Sequence, residues 1–429
     1  MADGRSDLKS RHWIPRPRYR YTYWKFWTAY KIMMIPSRVF YYAAWRISTR
    51  YVRGRVPAVP PAIGTSRDFS AEAKAIVFET NGKPLEVLKL HTFPLPDVTD
   101  DTILVKFLAS PINPADINQV EGVYPTKPPF LTDEISSTTP LAIGGNEGAV
   151  EILEVGKSVT QFKPGDRAIM RHTLFGTWRT HAIAKVFDLT KVPFPSSDIT
   201  AVQAATASVN PTTAYRMLKD FVDMKHDDWF IQTAANSGVG RAAIQLGRLW
   251  GLRSINVVRD REDIDDLKRD LESLGATKVV TEDEIKDKGF RNTIKEWIGD
   301  REIKLGLNCT GGESTTNIAR QLSTGGHLVT YGGMARKPVT VPVSLFIFKD
   351  IHLHGYWLTR WSDSHPDEKE QIVNEILGLL KAGELKDVPV DEVVWTADMS
   401  DQERLDAFNR GVEKYISGSR GRKQVLVHK

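Results

Sequence analysis

The sequence predicts an α/β protein in which a β-rich domain is joined to a doubly wound, parallel-sheet domain. Three observations carry this. Residues 228–261 read as strand, glycine turn, helix and strand. From Ala73 to Met170 the chain breaks into short apolar runs separated by turns. After Ile347 it returns to strand-like segments and closes on Gln424-Val-Leu-Val. A chain of 429 residues is long enough for two such domains and a tail.

The tail comes first. Thirteen of the 58 Lys and Arg, but only two of the 53 Asp and Glu, fall in residues 1–60, so the basic balance belongs to this leader and the body is slightly acidic. Within it arginines interleave with aromatics such as Trp13, Tyr19, Tyr23, Trp24, Trp27, Tyr41 and Trp45. Its uncharged runs, such as Ile32 to Ser37 and Val39 to Trp45, are too short to span a bilayer. Few acids and many arginines fit a mitochondrial targeting segment. A retained arm on a membrane surface or a protein complex fits as well. Nucleic acid is not expected as a partner, because no nucleic-acid motif accompanies the basic residues. Val56-Pro-Ala-Val-Pro-Pro is a linker.

The body follows in order. Strands are predicted at Lys74 to Glu79, Thr102 to Leu108, Gly148 to Gly156 and Asp166 to Met170, with a turn at Lys163-Pro-Gly-Asp. One helix is predicted over Gln203 to Asp220. The apolar run Asp228-Trp-Phe-Ile-Gln is a buried strand, Arg241 to Trp250 a helix, and Ser254 to Val258 the next strand. A helix over Leu267 to Leu274 and a strand at Lys278 to Thr281 come next. Leu305 to Gly312 and Gly326 to Met334 are strand-to-turn switches ending in glycines. His352 to Leu358 reads as a strand and Lys369 to Lys381 as an amphipathic helix.

The turn Ala235-Asn-Ser-Gly-Val-Gly carries the first chemistry. Gly238 and Gly240 allow a tight turn and a close approach to a pyrophosphate, and the helix N-terminus adds unpaired N–H groups and a positive dipole end. This is the dinucleotide-binding unit of a Rossmann domain, with alanine in place of the first glycine. NAD sites place an acid at the end of the second strand; here stand Arg259, Asp260 and Arg261. Guanidinium groups suit a 2′-phosphate, so the expected cofactor is NADPH.

The order of domains resembles the medium-chain dehydrogenase/reductase superfamily. The likeness tightens at Asn113-Pro-Ala-Asp, Gly122-Val-Tyr-Pro, Gly144-Gly-Asn-Glu-Gly, Val209-Asn-Pro-Thr-Thr-Ala-Tyr, Asn256-Val-Val-Arg-Asp-Arg, Tyr331-Gly-Gly-Met and Gly355-Tyr-Trp-Leu. These are similar to the mitochondrial trans-2-enoyl-thioester reductases of type II fatty-acid synthesis, over about residues 70–429. The resemblance implies a GroES-like catalytic domain over residues 67–206 and 347–429, a Rossmann domain over 207–346, and the leader and linker over 1–66. It implies NADPH-dependent reduction of enoyl-CoA or enoyl-acyl-carrier-protein in the mitochondrial matrix by a homodimer.

The resemblance also implies roles. Tyr124 is the catalytic residue. Asn210 touches the nicotinamide side; Asn236, Ser237, Gly238 and Val239 line the pyrophosphate; Arg259, Asp260 and Arg261 surround the 2′-phosphate. Tyr331, Gly332, Gly333 and Met334 flank the nicotinamide and acyl pocket together with Tyr356, Trp357, Leu358 and Thr359. Lys423 is a further cofactor contact. A hydride delivered to the β-carbon of an unsaturated thioester drives charge onto the carbonyl oxygen and leaves the α-carbon to be protonated. A tyrosine, protonated at neutral pH, suits either task.

No catalytic zinc of the Cys/His type is expected. Asn146 stands where zinc-dependent relatives carry histidine, and Cys309 is the single cysteine. The pair His352 and His354 reads as packed or solvated side chains. Two rival functions remain: a quinone or small-enone reductase on the same scaffold, which need not carry Gly-Val-Tyr-Pro, and an accessory subunit of a larger assembly docked through residues 1–60.

Overall fold

The structure, a computed structural model, describes residues 72–418 and 421–429. The basic leader and the linker, with both readings of them, lie outside the described residues.

Six parallel strands form one sheet in the order Lys278–Thr281, Arg253–Val258, Trp229–Gln232, Ile303–Asn308, His327–Thr330 and His352–Gly355. From Trp229–Gln232 the chain first builds outward in one direction and then crosses back to build in the other. That is the doubly wound order, with its switch point beside the first strand. The strands are near-continuous apolar runs because helices cover both faces. Trp229, Ile231, Ile255 and Val257 pack with Phe290, Ile294, Ile318 and Leu345 on one face. Phe230, Leu305, Leu307 and Val329 pack with Met217, Ala242 and Leu246 on the other. Gln232, the one amide inside the first strand, is buried and donates to the Gly240 carbonyl (3.0 Å) and to Asn256 Oδ1 (2.8 Å).

The β-rich part is a seven-stranded sheet running Val390–Trp395, Lys423–His428, Thr102–Pro111, Ala149–Val155, Arg167–Met170 and Leu189–Lys191, with His181–Lys185 also paired to Thr102–Pro111. A three-stranded sheet, Lys89–Pro94, Glu72–Phe78 and Ala142–Ile143, packs alongside. The strand Lys423–His428 pairs antiparallel with Thr102–Pro111, Val425 facing Pro111, so the last strand sits inside the sheet rather than at its edge. Trp178 and Phe408, both fully buried with ring centroids 4.8 Å apart, fill the space between these sheets and the helix Asp401–Ile416.

Three predicted elements differ. The single helix over 203–220 is two, Ala201–Thr206 and Asn210–Asp220. At the break the N–H groups of Ser208 and Val209 turn to the buried Glu147 carboxylate (3.0 and 2.8 Å), and Pro211 has no N–H to continue a helix through it. The strand predicted over 352–358 stops at Gly355, and Leu358 already opens the helix Leu358–Ser364. The helix predicted from Lys369 starts at Pro366, a residue favoured in a first turn. Asp401–Ile416 has no counterpart among the predicted elements, although Ser400 and Glu403 form a reciprocal capping box at its start.

His352 and His354 are packed with His327. His327 Nδ1 lies 2.8 Å from His354 Nε2, and the His327 ring stacks on both. No helix among the described residues is long and apolar enough to cross a membrane.

Candidate active site

The nucleotide-side residues gather where the parallel strands end. The turn after Trp229–Gln232 bends at Ala234, whose φ of 49° lies in the left-handed region, and runs into the helix Gly238–Leu249. Ser237 caps that helix, its Oγ accepting from Gly240 N at 3.1 Å. Glycine is needed at 240 because a side-chain carbon there would overlap the Ala235 backbone. At 238 a side-chain carbon would collide with the Asn210 amide, so the first residue of Asn210–Asp220 lies directly against the glycine turn. Behind the turn the buried Arg241 donates to the Asn236 carbonyl (3.3 Å) and pairs with Asp270. Gly421, just ahead of the strand Lys423–His428, comes so near Asn236 that a side-chain carbon on it would lie 2.9 Å from the Asn236 oxygen.

Arg259 and Asp260 follow the second strand and are exposed. Arg261 is engaged with Asp263, its Nη2 donating at 2.7 Å, and its backbone N–H meets Asp260 Oδ1 at 3.0 Å. Tyr331 to Met334 follow the strand His327–Thr330, with Tyr331 N and Met334 N donating to the carbonyls of Asn308 (2.9 Å) and Cys309 (2.8 Å). Gly332 packs against Cys309, Gly333 and Met334 are exposed, and the Tyr331 hydroxyl is buried beside the Cys309 and Ser237 side chains. Tyr356 is turned into the apolar core, edge-on to Phe221, while Leu358 is half-buried and Thr359 buried.

Tyr124 sits in a turn after the short helix Pro114–Val120, held by the N–H groups of Val123 and Tyr124, which both donate to the Asn118 carbonyl (3.0 and 3.1 Å). Its hydroxyl oxygen accepts a hydrogen bond from Trp357 Nε1 at 2.8 Å, and the two rings meet edge to face with centroids 6.1 Å apart. Indole nitrogen is a donor only, so this contact leaves the phenolic proton for another acceptor. Burial raises the Tyr124 pKa, and the Trp357 and Thr359 side chains oppose the rise by supporting the phenolate. The group is therefore an un-ionised O–H at neutral pH, with its conjugate base already partly solvated by the protein.

Beneath this turn lies a buried polar hub in which the sequence had singled out Asn146 and Lys423, while Asn113, Asp116 and Glu147 stood there only as parts of motifs. Asp116, 1% exposed, accepts from Asn113 N (2.6 Å) and from Asn146 Nδ2. Asn146 also reaches Gln119 Oε1 (2.7 Å) and accepts from Leu174 N (2.8 Å). Burial pushes the Asp116 carboxyl up to about 7, against the pull of the Asn113 and Asn146 hydrogen bonds and the Lys423 charge. Lys423 donates to Asn113 Oδ1, and burial lowers its pKa. The structure thus joins Tyr124 with Trp357, Asn210 with the glycine turn, and Lys423 with Asn113. The signal for the hub was the Asn113-Pro-Ala-Asp sequence, whose first and fourth residues cap the helix that leads to Tyr124.

Comparison with known proteins gives two domain matches. Residues 99–189 match a model of the alcohol dehydrogenase GroES-like domain, and residues 238–376 match a model described as zinc-binding dehydrogenase. A mitochondrial enoyl-acyl-carrier-protein reductase of Yarrowia lipolytica is 48% identical over 332 residues, 77% of this chain and 85% of that protein. The solved complex of Etr1p with NADP and crotonyl-CoA is 40% identical, covers 83% of this chain and 99% of its own, and superposes with a TM-score of 0.79. The Etr1p/Etr2p heterodimer of the mitochondrial 2-enoyl thioester reductase of Candida tropicalis matches with the same identity, coverage and TM-score. The zinc in the second domain description does not fit the residues present. Asn146 is committed to amide hydrogen bonds, Cys309 is buried in the nucleotide sheet, and among the described residues no group of three His, Cys, Asp or Glu is placed to hold a metal ion.

Proposed function

We infer the reaction from one premise: the chain belongs to the mitochondrial enoyl-acyl-carrier-protein reductases. It is an NADPH-dependent reductase of trans-2-enoyl thioesters that acts in mitochondrial fatty-acid synthesis. When bound, NADPH supplies a hydride to the β-carbon of the unsaturated thioester. The observation that carries the reading is the Tyr124 hydroxyl, whose lone pair is occupied by Trp357 Nε1 at 2.8 Å and whose proton is left to donate. Tyr124 faces the thioester carbonyl or the α-carbon in this reading and holds its proton until charge develops there. Asn236 to Val239 and the N–H groups of the helix they open take the pyrophosphate, and Asn210 borders the nicotinamide. Arg259, Asp260 and Arg261 surround the 2′-phosphate, with Arg261 exchanging its hold on Asp263 for the phosphate. Tyr331 to Met334 and Trp357 to Thr359 border the acyl pocket. Tyr356 supports them from the core, and Lys423 acts from beneath the turn. In this reading the catalytic domain comprises residues 67–206 and 347–429, and the nucleotide domain residues 207–346.

Oxidation of NADPH at 340 nm with crotonyl-CoA as substrate tests the reading. Turnover with the thioester supports it; turnover with quinones and none with the thioester moves the function to the rival reductase.

We propose a homodimer as the working form. Among the described residues, no strand pairs with the outer edge of His352–Gly355, which ends the six-stranded sheet. Next to it in sequence, the helix Val343–Lys349 exposes Val343, Ile347 and Phe348 by 68, 68 and 77%. An open edge beside exposed apolar side chains is what a second copy covers by continuing the sheet across a two-fold axis. Sedimentation should show a dimer, and Phe348→Glu should shift it toward monomer. A parent protein that sediments as monomer would end the proposal.

A further inference from the structure

One buried carboxylate has no task in this chemistry. Glu147, 2% exposed, is the meeting point of three segments that are far apart in sequence. Its Oε1 accepts from Ser208 N (3.0 Å), Ser208 Oγ (3.1 Å) and Val209 N (2.8 Å), the residues that immediately precede Asn210. Its Oε2 accepts from Asn113 Nδ2 (3.1 Å), and Asn113 opens the helix whose far end leads to the Tyr124 turn. Asn113 in turn receives Lys423 at its Oδ1. We propose that Glu147 is a positioning residue that sets Asn210 and the glycine turn in register with Tyr124.

The polarity of this chain of contacts leaves no freedom. Lys423 can only donate, so Asn113 must turn its oxygen toward it and its NH2 toward residue 147. Ser208 and Val209 present N–H groups, so they too need an acceptor there. Residue 147 must therefore accept on both oxygens, which a carboxylate does and a carboxamide cannot. Glu147→Gln keeps the shape but places one NH2 against another donor, either at Asn113 or at Ser208 and Val209. Flipping Asn113 only moves the conflict to the Lys423 ammonium. The segment bearing Asn210 has to shift away from the segment bearing Tyr124. The double variant Glu147→Gln with Asn113→Asp removes the conflict. The new NH2 at position 147 then donates to the new carboxylate at position 113, and Lys423 donates to that carboxylate's other oxygen. The amide oxygen at position 147 serves Ser208 and Val209, and the total charge is unchanged.

This inference rests on the enoyl reductase reading, and its test separates the two. The parent protein is first assayed with NADPH and crotonyl-CoA, and its bound NADPH fluorescence is recorded without substrate. Absence of turnover in the parent counts against the function alone, because the fluorescence still reports where the nicotinamide sits. Glu147→Gln should lower kcat by about 10–10²-fold, the loss expected when reacting groups are displaced by around an ångström, with KM for NADPH within a few-fold. The emission of bound NADPH should shift. The double variant should recover kcat to within roughly threefold of the parent, as expected for coupled neighbours. A merely structural role predicts lower melting temperatures with kcat and emission unchanged, and that result overturns the proposal. If the single variant does not fold, the double variant decides: parental turnover and emission support the proposal, and failure to restore a folded protein with both overturns it.

Discussion

The two turns proposed to make up the site are built in opposite ways. The glycine turn is shaped by its own neighbours. Ser237 caps Gly240 three residues on, Gly240 packs on Ala235, and Arg241 ties back to Asn236. The Tyr124 turn is shaped from a distance. Its hydroxyl is set by Trp357, 233 residues away, and the helix before it is anchored to Asn146 and, through Asn113, to Glu147 and Lys423. In the proposed reading, the cofactor turn thus rests mainly on local contacts and the tyrosine turn on tertiary closure.

Substitutions on the two sides should separate these properties. Tyr124→Phe keeps the ring against Trp357 and removes the hydroxyl. We expect kcat to fall by about 10²–10³-fold, the size of one proton-donor or oxyanion contribution, with NADPH affinity within a few-fold and melting unchanged. Near-parental turnover would remove Tyr124 from the chemistry. Arg259→Ala acts on the local side only. The protein should prefer NADPH over NADH by at least tenfold, since charge-assisted contacts to a phosphate contribute about 1.5–3 kcal/mol, and the variant should lose most of that preference at unchanged kcat. Equal dissociation constants for the two cofactors in the parent would refute the assignment. Trp357→Phe is the smallest change: it deletes the donor that orients the Tyr124 oxygen. One neutral hydrogen bond contributes about 0.5–1.5 kcal/mol, so kcat should drop roughly 3–10-fold while cofactor affinity stays. A variant that lost NADPH binding instead would show that the two turns are not independent.

The same contrast explains what the sequence made legible. The strand, glycine turn, helix and strand of residues 228–261 read correctly because each feature sits within a few positions of its cause. The arginines at the end of the second strand were visible in the same way, but not the engagement of Arg261 with Asp263. The break before Asn210 was hidden, because its cause is Glu147, some 60 residues earlier. Tyr124 was singled out through a family motif and stands as a proposal; nothing near it in the chain announces the Trp357 contact. The inward turn of Tyr356 was equally out of reach, since alternation along a strand does not say which face the residue after its end will take.

One consequence follows from the strand Lys423–His428, which lies between Val390–Trp395 and Thr102–Pro111 and carries the lysine of the hub. During synthesis the partner strand emerges about 300 residues earlier, so at 5–20 residues per second it waits roughly 15–60 s with its pairing edge bare. The nucleotide sheet, built from residues 229–355, has all its strands before then. The nascent protein should therefore pass through a stage in which the cofactor-side domain is complete while the tyrosine-side domain is still an open sheet. An exposed edge of that kind is what chaperones recognise and aggregation exploits. A polypeptide ending before residue 423 would be held at that stage, with its nucleotide turn formed and the helix that leads to Tyr124 lacking its Lys423 anchor.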